Sequence, residues 1–197
     1  MAPGQLVLVK HARPVLDPAR SARAWRLGPV GETQAAALAK RLVLPCDLIS
    51  SPEPKAERTA GIIAGMLGLE PRTVDGLHEF DRPVLPILPA DEHLRLNARL
   101  FTEPSRPVIG TESARVALAR FSAALLPEIH ARREPNLVVI AHGTVISLFV
   151  AAHNAVDAFG FWRALDCGDL AVLDLPSLRL APQTGRIVRA APGARAR

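Results

Sequence analysis

Two short apolar runs, Gln5–Val9 (QLVLV) and Leu137–Ala141 (LVVIA), lie near opposite ends of the chain, and each leads into a histidine: His11 after Lys10, and His142. Runs of this length without polar alternation read as strands covered on both faces, which calls for a sheet with helices above and below it. In open sheets of that kind, ligands bind beyond the carboxyl ends of the strands, and both histidines fall there. One strand-end histidine alone is an ordinary packing residue. Two of them, each followed by a small residue (Ala12, Gly143) that lets a ligand approach the backbone, point to one shared pocket.

The segments between fit an alternating strand–helix chain. Gly31–Leu44 carries apolar residues at helical spacing, including Ala35, Leu38, Ala39 and Leu42. Cys46–Ile49 reads as a strand, and Ser50-Ser51-Pro52 as the opening of a helix over Glu53–Leu67 that stops at Gly68. Arg72–Val74 is a brief strand. The proline-rich stretch Phe80–Pro107 reads as a surface excursion holding one short helix, Asp91–Leu100. A long helix over Thr111–Arg133 follows, and another, Val145–Val156, comes after the second histidine. Leu170–Leu175 and Ser177–Leu180 form a closing strand pair. The expected fold is α/β: a three-layer α/β/α sandwich with a mostly parallel central sheet. One domain spans residues 1–185, with a lid insertion over residues 80–110, and residues 186–197 form a frayed, flexible tail.

Charge and cysteine usage narrow the function classes. The net charge of +5 is spread along the chain, and aromatic residues make up only 4% with no tyrosine, a poor basis for stacking single-stranded nucleic acid. A small anionic substrate suits the charge better. No apolar run approaches the roughly 20 residues of a membrane span, and the first residues lack the pattern of a secretory signal. Cys46 and Cys167 are far apart and outside any CxxC pattern, so neither a disulfide framework nor a thiolate metal site is expected. These features predict a cytoplasmic protein that binds neither nucleic acid nor membrane, and they carry no signal for oligomeric state.

Four motifs in order then resemble the histidine phosphatase superfamily, the phosphoglycerate-mutase-like enzymes. That family opens with a strand and Arg-His-Gly, where this chain has Lys10-His11-Ala12. Its Ser-Ser-Pro-x-x-Arg-Ala-x-x-Thr-Ala element is matched by Ser50-Ser51-Pro52-Glu53-Pro54-Lys55-Ala56-Glu57-Arg58-Thr59-Ala60. Leu77-His78-Glu79 stands for the acid-bearing Leu-x-Glu, and His142-Gly143 for the closing His-Gly. Leu27, Gly31, Gln34-Ala35 and Leu38-Ala39 fit the first helix, so the likeness runs from Leu6 to about Leu175. The resemblance implies hydrolysis of a small phosphomonoester through a phosphohistidine on His11, with His142 and two basic side chains neutralising the phosphoryl oxygens. It implies Glu79 as the proton donor, with Asp81 and Glu112 as rival acids, and it requires neither metal nor cofactor.

The chain departs from the family at both arginines of the phosphate clamp, which are Lys10 and Lys55 here. Of 24 basic residues only Lys10, Lys40 and Lys55 are lysines, so lysine at both clamp sites is a marked choice. Arginine grips two oxygens in a planar fork, whereas lysine offers a hydrated point charge. Arg13 or Arg58 could restore a fork, and Asp17 would repel phosphate unless it pairs with Arg13 or Arg20. The alternative to a phosphatase is therefore a phosphoester-binding relative with weak or no turnover. A phosphomutase is less favoured because only Phe80–Pro107 could serve as a lid. A zinc site built on His11, His142 and Asp17 is a further, unneeded option.

Overall fold

The computed structural model describes residues 3–81 and 88–181. Its strands are β1 (Gly4–Lys10), β2 (Cys46–Ser50), β3 (Arg72–Thr73), β4 (Asn136–Ala141), β5 (Leu170–Leu175) and β6 (Arg179–Leu180). They form one sheet in the order β3-β2-β4-β1-β5-β6. The pairs β3/β2, β2/β4 and β4/β1 are parallel, while β5 runs antiparallel to β1 and β6 antiparallel to β5. The chain is thus the mostly parallel α/β sandwich the sequence predicts. The antiparallel pairing of β6 with β5 follows from the short return between them, too short for a helical crossover.

The two sheet faces are packed by alternate residues of the same strands, the period of two in a pleated strand. Leu6 and Leu8 of β1 face one core with Leu137, Val139, Phe121 and Phe149. Val7 and Val9 face the other with Val138, Ile140, Leu38 and Ile63. The helices are α1 (Pro29–Ala39), α2 (Pro54–Leu67), α3 (Ala90–Thr102), α4 (Ala114–Ala131), α5 (Gly143–His153) and α6 (Ala158–Ala164). Residues of α1 and α2 cover one face, and those of α4 and α5 the other.

Several helix limits differ from the sequence reading. The first helix ends at Ala39 rather than Leu44: the next N–H groups, of Arg41 and Leu42, turn back to the Leu38 and Ala39 carbonyls, three residues behind, and tighten the chain out of the α-helix. The cap of α4 is Ser113, whose hydroxyl accepts from the Val116 N–H at 3.3 Å, rather than Thr111. Thr111 instead donates to Asp81 at 3.0 Å. Missing from the sequence reading are a 3-10 turn at Ala22–Ala24 and α6, which Asp157 caps by accepting from the Gly160 N–H. The expected lid lies partly outside the described residues, at 82–87, and so does the expected tail at 186–197.

Candidate active site

The register between β1 and β4 brings the histidines together. Lys10 pairs with Ala141 across the two parallel strands, so His11 and His142 are the next residues of each and leave the sheet side by side. The His11 N–H still donates to the Ala141 carbonyl at 3.0 Å, which extends the ladder one step and fixes the spacing. The two rings meet edge to face with centroids 5.1 Å apart. His11 Nδ1 lies 2.8 Å from the carbonyl of Ala12. A carbonyl only accepts, so Nδ1 carries the proton and the lone pair is on Nε2. Burial holds the His11 pKa well below 6.5, and the adjacent His142 and Lys55 push it further down, against the Ala12 carbonyl, which raises it. The ring is thus kept neutral, as a nitrogen nucleophile must be.

Both lysines reach the same cavity, about 670 Å³, which His11, His142, Arg13 and Glu79 also line. Lys10 Nζ donates to the Leu165 carbonyl at 2.8 Å. Lys55 is more constrained: its ammonium donates to the Ala22 carbonyl at 2.8 Å and to the carboxylate of Glu53, an ion pair only 6% and 2% exposed at its two side chains. Glu53 precedes Pro54 in extended conformation at the amino-terminal boundary of α2, and its side chain makes no capping bond to that helix. Its other oxygen accepts the Glu79 N–H at 2.8 Å and lies 3.6 Å from His142 Nε2. Ser51 completes this cluster, with its hydroxyl 2.7 Å from His142 Nε2 and accepting the Glu53 N–H at 3.2 Å.

The sequence model described as "Histidine phosphatase superfamily (branch 1)" matches residues 6–188. The chain belongs to the histidine phosphatase superfamily. No curated protein sequence matches it significantly. Among solved structures it is similar to mycobacterial glucosyl-3-phosphoglycerate phosphatase, with a TM-score of 0.69 at 20% identity over 91% of this chain and 97% of the other. A solved structure described as mycobacterial hydrolase 2 gives a TM-score of 0.69 at 21% identity over 92% and 89%. A candidate alpha-ribazole-5'-P phosphatase from Escherichia coli gives 0.68 at 19% identity over 90% and 93%. At these identities the likeness establishes the shared fold.

Within this histidine phosphatase superfamily member, the three candidate acids differ in position. Glu79 sits at the amino end of α5, where its carboxylate accepts N–H bonds from Thr144 at 3.1 Å and Val145 at 3.3 Å, one residue or two past the His142-Gly143 pair. Asp81 lines the cavity rim and is exposed. Glu112 lies outside the lining and is gripped by Arg120 at 2.9 Å through both oxygens. Burial raises the Glu112 pKa, but the bonds from Arg120 and from the Asp81 N–H outweigh it and leave it lowered. Arg120 also donates to the carbonyls of Gly76, His78 and Glu79, so this pair braces the loop that carries Glu79.

Arg58 does not restore a clamp: it is exposed on α2 and bound to Glu32 at 2.7 Å. Asp17 pairs with Arg20 at 3.3 Å and lies outside the cavity lining, which separates it from the two histidines and removes the zinc option built on it. Among the described residues no group of three or more His, Cys, Asp and Glu is placed to hold a metal ion, and no helix is long and apolar enough to cross a membrane. The sequence reading missed Glu53, Ser51 and Gln34. Glu53 could have been noticed as an acid two residues before a clamp position. Gln34 is buried in α1, where it accepts the Arg13 N–H at 2.9 Å and donates to the Cys167 carbonyl, and so ties the loop after His11 to the approach to β5.

Proposed function

We propose that the protein hydrolyses a small phosphomonoester through a phosphohistidine on His11. The observation that carries this reading is the pair of in-register histidines, one of them a buried neutral imidazole with its lone pair on Nε2. His11 Nε2 attacks phosphorus, the ester P–O bond breaks, and Glu79 gives its proton to the departing oxygen. Water then attacks the phosphohistidine, Glu79 takes the proton from that water, and the P–N bond breaks to release phosphate. His142, Lys10, Lys55 and Arg13 neutralise charge on the phosphoryl oxygens, where most of the rate acceleration in phosphoryl transfer arises. The cationic side chains make a metal ion or cofactor unnecessary to the scheme. A cytoplasmic setting belongs to the same reading and is supported by two free cysteines.

One observation favours a second reading, binding without efficient turnover: Lys55 is already held by an internal carboxylate. Turnover of p-nitrophenyl phosphate by the wild type and by His11→Ala separates the two. Hydrolysis that His11→Ala abolishes is the expected result. Equal and near-background rates for both proteins would overturn the phosphatase reading and leave the binding one.

A further inference from the structure

Beyond the phosphoryl end, the cavity carries information about the rest of the substrate. Trp162 Cδ1 lies 3.5 Å from the point where a side chain on Gly143 would begin, and Lys10 Nζ lies 3.3 Å from that same point. The indole edge therefore adjoins both a clamp lysine and the amino end of α5. The indole offers a flat surface to a group attached to the phosphoryl. Phe159 stacks on the ring at 12° with centroids 6.0 Å apart and Phe101 leans on it at 6.2 Å, both outside the cavity lining, while His93, 5.9 Å away, lines the cavity beside it. Pro14, Leu16, Trp25, Phe80 and Leu88 line the cavity too, and Leu16 is 54% exposed, a large apolar side chain left facing open space. The Trp25 indole N–H is already committed to the Asp17 carbonyl at 2.9 Å.

Two polar side chains of the same cavity are committed within the protein. Asn97 is buried and donates to the His93 carbonyl at 2.7 Å, and Asp81 accepts from Thr111. Among the described residues the lining carries Lys10, Arg13, Arg23 and Lys55 against Glu53, Asp81 and Asp166, with Glu79 holding the proton it is to donate. The negative charge of a phosphoryl dianion exceeds that single surplus cation, so a second anion on the leaving group meets no cation left over among these residues. The volume of about 670 Å³ is in the range that takes ligands far larger than phosphate.

We propose that the leaving group is a flat, apolar, uncharged one, an aryl or similar ring seated against Trp162, and that esters whose alcohol carries a second anion are selected against. The inference rests on the phosphomonoester reading above for its clamp, but not on turnover.

Non-hydrolysable phosphonates test it on the wild-type protein by equilibrium binding. The probes are 1-naphthylmethylphosphonate, 2,3-dihydroxypropylphosphonate and 3-phosphonopropanoate, which share one phosphonate head and differ in the group attached to it. The naphthyl compound should bind at least about ten-fold tighter than the diol, since aromatic contacts carry binding at anchor sites, and 3-phosphonopropanoate should bind weakest. Trp162→Ala should shrink the naphthyl-to-diol ratio several-fold, and Trp162→Phe should keep most of it. Equal affinities, a preference for the carboxylate, or a ratio unmoved by Trp162→Ala would each overturn the proposal. If the naphthyl preference holds while the wild type hydrolyses no ester, the phosphatase reading falls and this one stands.

Discussion

Lys10 and Lys55 line the same cavity and are the two lysines of the proposed phosphate clamp, yet the fold treats them differently. Lys10 ends β1 and rests on one neutral partner, the Leu165 carbonyl. Lys55 begins α2 and is locked between the Ala22 carbonyl and the buried carboxylate of Glu53. The first ammonium keeps its net charge for a ligand. The second belongs to an ion pair whose charges largely cancel at a distance, and which was desolvated when the chain folded. In the proposed clamp one ammonium is thus offered to the substrate alone, while the other is shared between the substrate and the Glu53 carboxylate beside His142.

If that contrast holds, Lys55→Ala has the largest effect. It strands Glu53 as a lone buried charge, and urea denaturation should show a loss of about 3–5 kcal/mol. Adding Glu53→Gln should restore a good part of that loss, and failure to restore any would break the idea of a coupled pair. Next comes Lys10→Ala, which should cost on the order of 10²-fold in kcat/KM while leaving the denaturation midpoint nearly unchanged. If the two single variants lost stability equally, the contrast would collapse.

Glu53→Gln alone should have a more modest effect. It frees the Lys55 charge, so inorganic phosphate should bind tighter by on the order of ten-fold, about 1.4 kcal/mol. Calorimetric titration with phosphate measures this, and unchanged affinity would mean that Glu53 only packs.

The smallest effect expected is on pH dependence. The folded-state pKa of His11 is lowered by burial, His142 and Lys55, while an unfolded chain protonates its histidines near 6.5. Between those two values the unfolded state binds more protons, so stability falls as the solution is acidified below 6.5, by at most about 1.4 kcal/mol per pH unit. The acid limb of any turnover should likewise lie below 6.5. His11→Gln should flatten the corresponding stretch of the stability profile, and a profile unaltered by that substitution would argue for a solvated ring.

The sequence made some of this site legible and hid the rest for physical reasons. Unbroken apolar runs announced β1 and β4, and their histidine endings announced the pocket, because strand pairing turns equal position along two strands into contact. The fate of each lysine was hidden. A bond from Lys10 to Leu165 spans 155 residues and leaves no mark on local spacing. The role of Arg58 was equally open in the sequence and was settled by Glu32, which reaches it from a different helix. Helix α6 was too short to show a period, although Asp157 and Gly160 form a recognisable capping pair.

The position of β1 in the sheet has a consequence for how the chain is made. Its hydrogen-bonded neighbours are β4 and β5, and both belong to the last third of the sequence. During synthesis the first apolar strand leaves the ribosome with both edges unpaired, and it stays so until residues 136–141 have emerged as well. That delay is the price of a reaction centre stitched from opposite ends of one polymer, since pairing between distant segments is slow and leaves sticky edges exposed meanwhile. A nascent chain stalled before Asn136 holds His11 without its partner strand. Until β4 arrives, that apolar edge is open to other chains.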